Sequence, residues 1–286
     1  MARSYTVIGT GKLGSALSIS LLKAGYEIVS LFNHHPEKAE TLAGQMGTSV
    51  ISGVWPESPG QLGEVVFICV PDDAIAETAR RLSLFDLSGR FIVHTSGTLP
   101  ASVLKPVEQQ GAVTAAFHPL QTFNQNSDKS VFREIYISVQ GDETATEELS
   151  IWARALKARP VIISEEDKLR LHIAAVFASN YLVTLMEMAG DVMQDEELKR
   201  QLPIMFNPLL SQTVENLAKK GTGPSLTGPL SRGDITTITR HLNQLNENPE
   251  LAESYRLLGR KTLPIVERNG NVDPELINRL RELLSQ

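Results

Sequence analysis

The sequence predicts an α/β chain, with a doubly wound parallel sheet at the N-terminus followed by an all-helical C-terminal domain. Three observations carry that prediction. Short β-rich runs alternate with helical patterns up to about Glu165. Two of those runs, YTVIG (5–9) and VVFICV (65–70), are apolar nearly throughout, as in strands covered on both faces. Beyond Glu165 the β signal stops, and helical spacing of apolar residues continues to the C-terminus.

Taken in order, YTVIG is the first strand, and a helix follows it to Ala24. EIVSLF (27–32) is the second strand, and PEKAETLAGQM (36–46) is a helix whose first turn accepts Pro36 because the N–H that proline lacks has no partner there. TSVI (48–51), VVFICV, a helix opening at Pro71-Asp72, RFIVHTS (90–96) and a helix near 100–110 come next. AVTAAF (112–117), EIYISVQ (134–140), another helix and PVIIS (160–164) complete the first domain. SEEDK (164–168) marks the boundary, with Ser164 as a cap, giving domains of 1–164 and 165–286. Lys168 to Asp191 reads as one long helix, and further helices fit 198–218, 234–246, 250–266 and 274–284.

A chain of 286 residues with 42% hydrophobic and 21% charged residues has core material for two domains. Its net charge of −6, with no Lys/Arg run longer than two, speaks against nucleic acid as a partner. The one cysteine, Cys69, lies in an apolar run, so neither a disulfide framework nor a cysteine metal site is expected. Adjacent His34 and His35 cannot form a helical chelating pair, and no His-x-x-x-His occurs, so no metal is expected. The start lacks a signal-peptide layout. The longest uncharged helical stretch, Ile173 to Met186, is 14 residues, short of a membrane span. A soluble cytoplasmic protein is the expectation.

VIGTGKLGSAL holds Gly9, Gly11 and Gly14 in G-x-G-x-x-G spacing, directly after a strand and at the start of a helix. That context identifies a Rossmann-type dinucleotide-binding loop. Gly9 serves the tight turn, Gly11 lets a pyrophosphate approach the backbone, and Gly14 lets helix and strand pack closely. Thr10, Lys12 and Leu13 fill the loop, and the helix N-terminus offers amides and a positive dipole end to the phosphates. At the end of the second strand an NAD site would usually place an acid; here stands Asn33, followed by His34, His35 and Lys38. A missing acid and nearby basic groups favour NADP over NAD. Val70 and Pro71 end the fourth strand and put residues 71–73 over the sheet's carboxyl edge, where such ligands lie, or Asp72 simply caps the helix that follows.

HTSG (94–97) ends the next strand at the same edge, where Ser96 and Gly97 can approach a nicotinamide or a substrate, or simply form a turn. His118, in AAFHPLQTF, ends an apolar run and is held by Pro119; it can move a proton near neutral pH or only brace a loop. On the helix 168–191, His172, Ser179, Asn180, Thr184, Glu187 and Asp191 share one arc. The other faces are almost wholly apolar, so a central, buried helix is expected, with His172 and Asn180 turned to substrate or to an internal hydrogen-bond network. In SLTGPLSRGDITT (225–237), Asp234 suits the N-cap of the following helix. Gly228, Pro229 and Gly233 shape a tight loop that brings Arg232 beside that helix N-terminus, a place suited to an anionic group.

GTGKLG, VPDDAI, HTSG, FHPLQTF, HIAAVFASN and LTGPLSRGD occur in this order across nearly the whole chain. Together they resemble the Rossmann-like oxidoreductases of the 6-phosphogluconate dehydrogenase-like superfamily that carry a helical C-terminal domain of unknown function, near pyrroline-5-carboxylate reductase. The resemblance implies an NADP-type cofactor domain, a helical domain that forms a homodimer, and an active site between the two. It supplies no substrate. The β-hydroxyacid dehydrogenases of that superfamily place a catalytic lysine one turn before an asparagine. Here the residue four before Asn180 is Val176, which turns attention to His118 or His172 as proton donor.

The expectation is therefore an NADP-dependent oxidoreductase moving a hydride to or from a small polar, anionic carbonyl or imine metabolite. Ser96 and His118 come from the first domain; His172, Asn180, Arg232 and Asp234 come from the second. The alternative is a non-catalytic nucleotide-binding sensor or scaffold that keeps the fold.

Overall fold

The computed structural model describes residues 3–47, 50–123 and 131–286. The chain divides into two compact units, 1–178 and 179–286. Among the described residues of the first, eight strands form one sheet: β1 (Ser4–Ile8), β2 (Glu27–Phe32), β3 (Ile51–Gly53), β4 (Val65–Ile68), β5 (Phe91–His94), β6 (Val113–Pro119), β7 (Tyr136–Gly141) and β8 (Arg159–Ile162). Their order is β3-β2-β1-β4-β5-β6-β7-β8, parallel except that β7 runs against β6. Of the expected TSVI strand, Thr48 and Ser49 lie outside the described residues.

Alternation along the strands sends side chains to opposite faces. Tyr5, Val7, Val65 and Phe67 join one core with Leu17 and Leu21 of α1 (Lys12–Lys23), Leu42 of α2 (Pro36–Met46) and Trp152 of α5 (Glu143–Ala155). Ile8, Val66, Ile68 and Ile92 join the other with Ile75 and Leu82 of α3 (Asp72–Leu82) and Val107 of α4 (Lys105–Glu108). Both faces are thus covered, which is why β1 and β4 lack polar alternation. After β3 the chain crosses back to place β4 beside β1, and this reversal opens a crevice at the carboxyl ends of the strands.

Register brings the site together. Ile8 pairs with Ile68, Ile68 with His94, and His94 with Ala116. The glycine loop, the 69–72 turn, the 95–98 turn and His118 therefore leave the sheet along one edge.

The expected 168–191 helix is interrupted at Ser179 (φ −119°, ψ −67°), giving α6 (Glu165–Ala178) and α7 (Asn180–Asp191). The unit boundary falls at 178/179 instead of 164/165, because α6 packs on β7 and turns Lys168 and His172 toward the sheet edge. The expected burial of 168–191 does not hold in the single chain. Ile173 and Leu169 are half exposed and Val183 is 71% exposed. Read as one run, Glu165–Asp191 reaches 27 residues and has the length and composition to cross a membrane, which the shorter 14-residue stretch lacks. Lys168 buried among the polar groups of the sheet edge opposes such a placement.

The second unit holds α7, α8 (Glu196–Lys220), α9 (Thr222–Ser225), α10 (Ile235–Gln244), α11 (Pro249–Asn269) and α12 (Pro274–Leu283). Ile238, Leu242, Leu263, Leu280 and Leu284 form its main core. Asp195 caps α8 through the amides of Glu197 and Leu198. That helix buries one residue, Leu202, and leaves Ile204 79% and Leu209 61% exposed.

Candidate active site

The glycine loop separates into two kinds of position. Gly9 has φ +100°, and a Cβ there would lie 2.5 Å from the Cys69 carbonyl oxygen. A Cβ at Gly14 would run into the Gly9 carbonyl. These two are required by the fold. A Cβ at Gly11 would meet nothing within 4 Å, and α1 has no side-chain cap there. The backbone at Gly11 thus faces open space with the first α1 amides directed outward, which fits a pyrophosphate held by Gly11, Lys12 and Leu13. A cavity of 530 Å³ beside it is lined by Thr10, Gly11, Lys12 and, from α2, Glu37 and Lys38.

Asn33 is buried and already engaged. Its amide donates 2.8 Å to Thr10 Oγ1, and its carbonyl accepts from the His35 amide at 2.9 Å. It braces the loop. The two histidines are exposed with ring centroids 4.2 Å apart, and Glu37 lies 3.5 Å from His35. Val70 leads into Pro71, which stands at the N-cap of α3. Burial pushes the Cys69 thiol up to about 12, keeping it protonated and inert.

Around β5 and β6 lies a cluster of ionisable groups. His94 Nδ1 accepts from the Ser96 amide, and its Nε2 lies 3.2 Å from the Pro100 carbonyl. Both nitrogens are used, and burial, helped by repulsion from Lys168, pushes the ring down to about 4. His94 is therefore a neutral brace. Ser96 Oγ donates to Asp72 Oδ2 at 2.7 Å and accepts the Thr98 and Leu99 amides. Thr98 Oγ1 donates to the same carboxylate oxygen at 2.6 Å. Ser96 is thus saturated by the turn it organises, and Asp72 is tied to two hydroxyls from the neighbouring loop.

His118 differs. Its Nδ1 lies 3.0 Å from the Thr95 carbonyl, so in the neutral ring Nδ1 carries the hydrogen and Nε2 presents a lone pair. Burial lowers its affinity for a proton, opposed by the Thr95 hydrogen bond and assisted by Lys168 and His172. His172 lies across from it, with ring centroids 6.0 Å apart and planes at 64°. The two meet over Gly97: a Cβ there would fall 2.6 Å from His172 Nδ1 and 2.8 Å from His118 Nε2. His172 Nδ1 is buried without a hydrogen-bond partner among the described residues.

Sequence reasoning missed Lys168, and it placed Asp72 at the ligand-binding edge with the rest of 71–73 or, alternatively, as a helix cap. Lys168 is 2% exposed, and its Nζ also lacks a hydrogen-bond partner among the described residues. Burial, partly offset by attraction to Asp72, pushes it down to about 8. The signal was present: Lys168 is one helical turn before His172, so it shares the polar arc. Asp72, His94, His118, Lys168 and His172 act on one another electrostatically, all within the first unit.

The remaining candidates belong to the second unit. Asn180 is exposed at the start of α7. Asp234 caps α10, accepting from the Thr237 amide at 3.0 Å and its hydroxyl at 2.7 Å, and these bonds hold its carboxyl below the usual range. Arg232 is exposed at the end of a 3-10 turn, and Gly233 follows in the left-handed region, where a Cβ would meet Val272 at 2.8 Å.

Residues 2–119 match the family described as a Rossmann-like domain, and residues 135–262 match a domain of unknown function, DUF2520. A curated relative, the NAD(P)-dependent glycerol-3-phosphate dehydrogenase of Chlorobium luteolum, is 32% identical over 134 residues, and the match spans 40% of each chain. Among solved structures, BF3122 from Bacteroides fragilis, a candidate NADP oxidoreductase, is 25% identical over 91% of this chain and 97% of its own, with a TM-score of 0.69. Protein TM1727 from Thermotoga maritima is 24% identical over 92% and 98%, with a TM-score of 0.72. An imine reductase from Pseudomonas sp. shares the fold at 19% identity over 98% and 99%, with a TM-score of 0.59.

Proposed function

We propose that this chain, which joins a Rossmann-like domain to a DUF2520 helical domain in the manner of the 6-phosphogluconate dehydrogenase-like superfamily, is an NADP-dependent oxidoreductase acting on a small polar, anionic carbonyl or imine metabolite. The observation that carries the proposal is the meeting of His118 and His172 over Gly97, on the same sheet edge as the open Gly11 turn. A bound nicotinamide supplies or accepts the hydride.

The chain's own residues handle the rest. Thr95 fixes His118 so that Nε2 faces the Gly97 cradle, where it takes the proton of an alcohol or amine and, when protonated, returns it. His172 Nδ1 offers a second proton-accepting or hydrogen-bonding atom on the other side. Asp72, held by Ser96 and Thr98, supplies the negative charge that offsets Lys168. His34, His35 and Lys38 are positioned for the 2′-phosphate that distinguishes NADP from NAD. In the helical unit, Arg232 and Asn180 are exposed, while Asp234 maintains the α10 terminus. The exposed apolar faces of α7 and α8 support a homodimer formed through the helical unit.

The test is NADPH oxidation against keto acids, aldehydes and cyclic imines. Turnover of at least one acceptor, lowered by about 10²-fold or more in His118→Ala, is the expected result. Tight NADPH binding with no hydride exchange to any acceptor would replace this assignment with a nucleotide sensor.

A further inference from the structure

Lys168 has no task in the chemistry above, yet it is the most unusual side chain in the first unit. It is 2% exposed, and its Nζ is shielded from solvent with no hydrogen-bond partner among the described residues. Asp72 is the acid that attracts it, but Asp72 Oδ2 already accepts from Ser96 and Thr98. A buried ammonium without a partner is costly, and a fold retains one where a ligand completes it. One turn further along α6, His172 Nδ1 is also buried and unpartnered, and it lies against Gly97 and His118. Two neighbouring unsatisfied nitrogens on one helix face thus converge on the site.

We propose that Lys168 anchors a carboxylate of the substrate, with His172 as its neighbour and His118 facing the reacting centre. The ligand chemistry follows from the count of charges. The cluster holds one cation and one acid, together with histidines of which His94 and His118 are held toward the neutral form. A single ammonium suits a singly charged, planar carboxylate; a phosphate dianion would call for more donors and would meet repulsion from Asp72. The proposal rests on the oxidoreductase reading only in calling that ligand the substrate.

Carboxylate binding has a consequence for His118. The groups facing His118 are Lys168 and His172 from α6, Asp72 from α3 and His94 from β5; β7 contributes only the Ser138 hydroxyl, 3.4 Å from the His118 carbonyl. A carboxylate on Lys168 offsets the repulsion that helps keep His118 neutral. The anion therefore enters with a proton, which loads His118 as an acid.

The experiment titrates the full chain by calorimetry with oxamate, isobutyrate and benzoate, and with their neutral amides, in the presence and absence of NADP. At least one acid is expected to bind at least tenfold tighter than its amide. Lys168→Met should lose at least tenfold of that affinity, Lys168→Arg should retain most of it, and NADPH affinity should stay within twofold of wild type in both. Repeating the titration at pH 6.5, where Lys168 is already protonated, in buffers of different ionisation heat should show net proton uptake that is smaller in His118→Asn. The proposal is overturned if no acid binds the wild type, if acids and amides bind alike, if Lys168→Met binds as wild type, or if Arg232→Ala alone removes the affinity. Failure to bind NADPH would instead overturn the oxidoreductase assignment, since the carboxylate titration stands without cofactor.

Discussion

At the scale of single residues, the glycines separate fold from function. Gly9→Ala places a side chain at φ +100° and against the Cys69 carbonyl, so it should destabilise the first unit by about 4 kcal/mol or more. Gly11→Ala meets no protein atom within 4 Å. It should fold as wild type while NADPH affinity drops roughly tenfold or more, which is about 1.4 kcal/mol. Thermal melts with and without NADPH check both outcomes. Gly97→Ala forms a third class, because its Cβ would intrude on His172 Nδ1 and His118 Nε2. The rings are ends of side chains and can swing aside, so stability should fall by about 1 kcal/mol or less. Catalytic efficiency should fall at least tenfold, since the displaced atoms are those assigned to proton transfer. An unchanged kcat/KM in Gly97→Ala would remove the histidine pair from the mechanism.

The element that matters most is α6. It is amphipathic in an unusual sense, with Lys168 and His172 turned to the sheet edge and Leu169 and Ile173 half exposed on other faces. Its buried ammonium makes a definite pH signature. Lys168 titrates at about 8 in the folded chain and near 10.5 when unfolded. Below pH 8 both states are protonated and the folded state bears the full cost of the buried charge. Between pH 8 and 10.5 the unfolded state binds more protons, so this group's contribution to stability rises with pH. Lys168→Met should therefore be more stable than wild type at pH 7, on the order of 1–4 kcal/mol, and the difference should shrink by pH 10. Urea denaturation at the two pH values measures it. A destabilised Lys168→Met would mean that the lysine supports the fold.

At the scale of the whole molecule, the second unit leaves its longest helix largely uncovered. Ile204, Met205, Leu209, Val214 and Leu217 of α8 are all exposed in a single chain, as are Val183 and Leu185 of α7. Exposed apolar rows of this extent mark association surfaces. Sedimentation at micromolar concentration should show a dimer, and Ile204→Glu with Leu209→Glu should shift it at least tenfold toward monomer. A wild-type monomer would end the homodimer proposal. Sequence reasoning expected 168–191 to be buried, within its own domain or in a homodimer, because it is apolar on most faces. It could not tell burial within one chain from a surface awaiting a second, since both require the same composition.

The sequence by itself determined the layers and the cofactor turn. Strand and helix periodicities are local, and the G-x-G-x-x-G loop reports its geometry through Gly9 and Gly14, which neighbouring backbone makes obligatory. Most helices of the second unit were legible for the same reason: α8, α10, α11 and α12 lie within a few residues of the expected spans. The tertiary structure alone decided which polar residues share a site. Asp72, Ser96, His118 and Lys168 lie on α3, the β5 turn, β6 and α6, and they meet only because strand register aligns their ends along one edge. It also decided that Ser96 and Asn33, suggestive in sequence, are already engaged as braces. And it showed that Lys168, unremarked in sequence, is buried without a partner, because burial and hydrogen-bond satisfaction depend on chain segments distant in sequence.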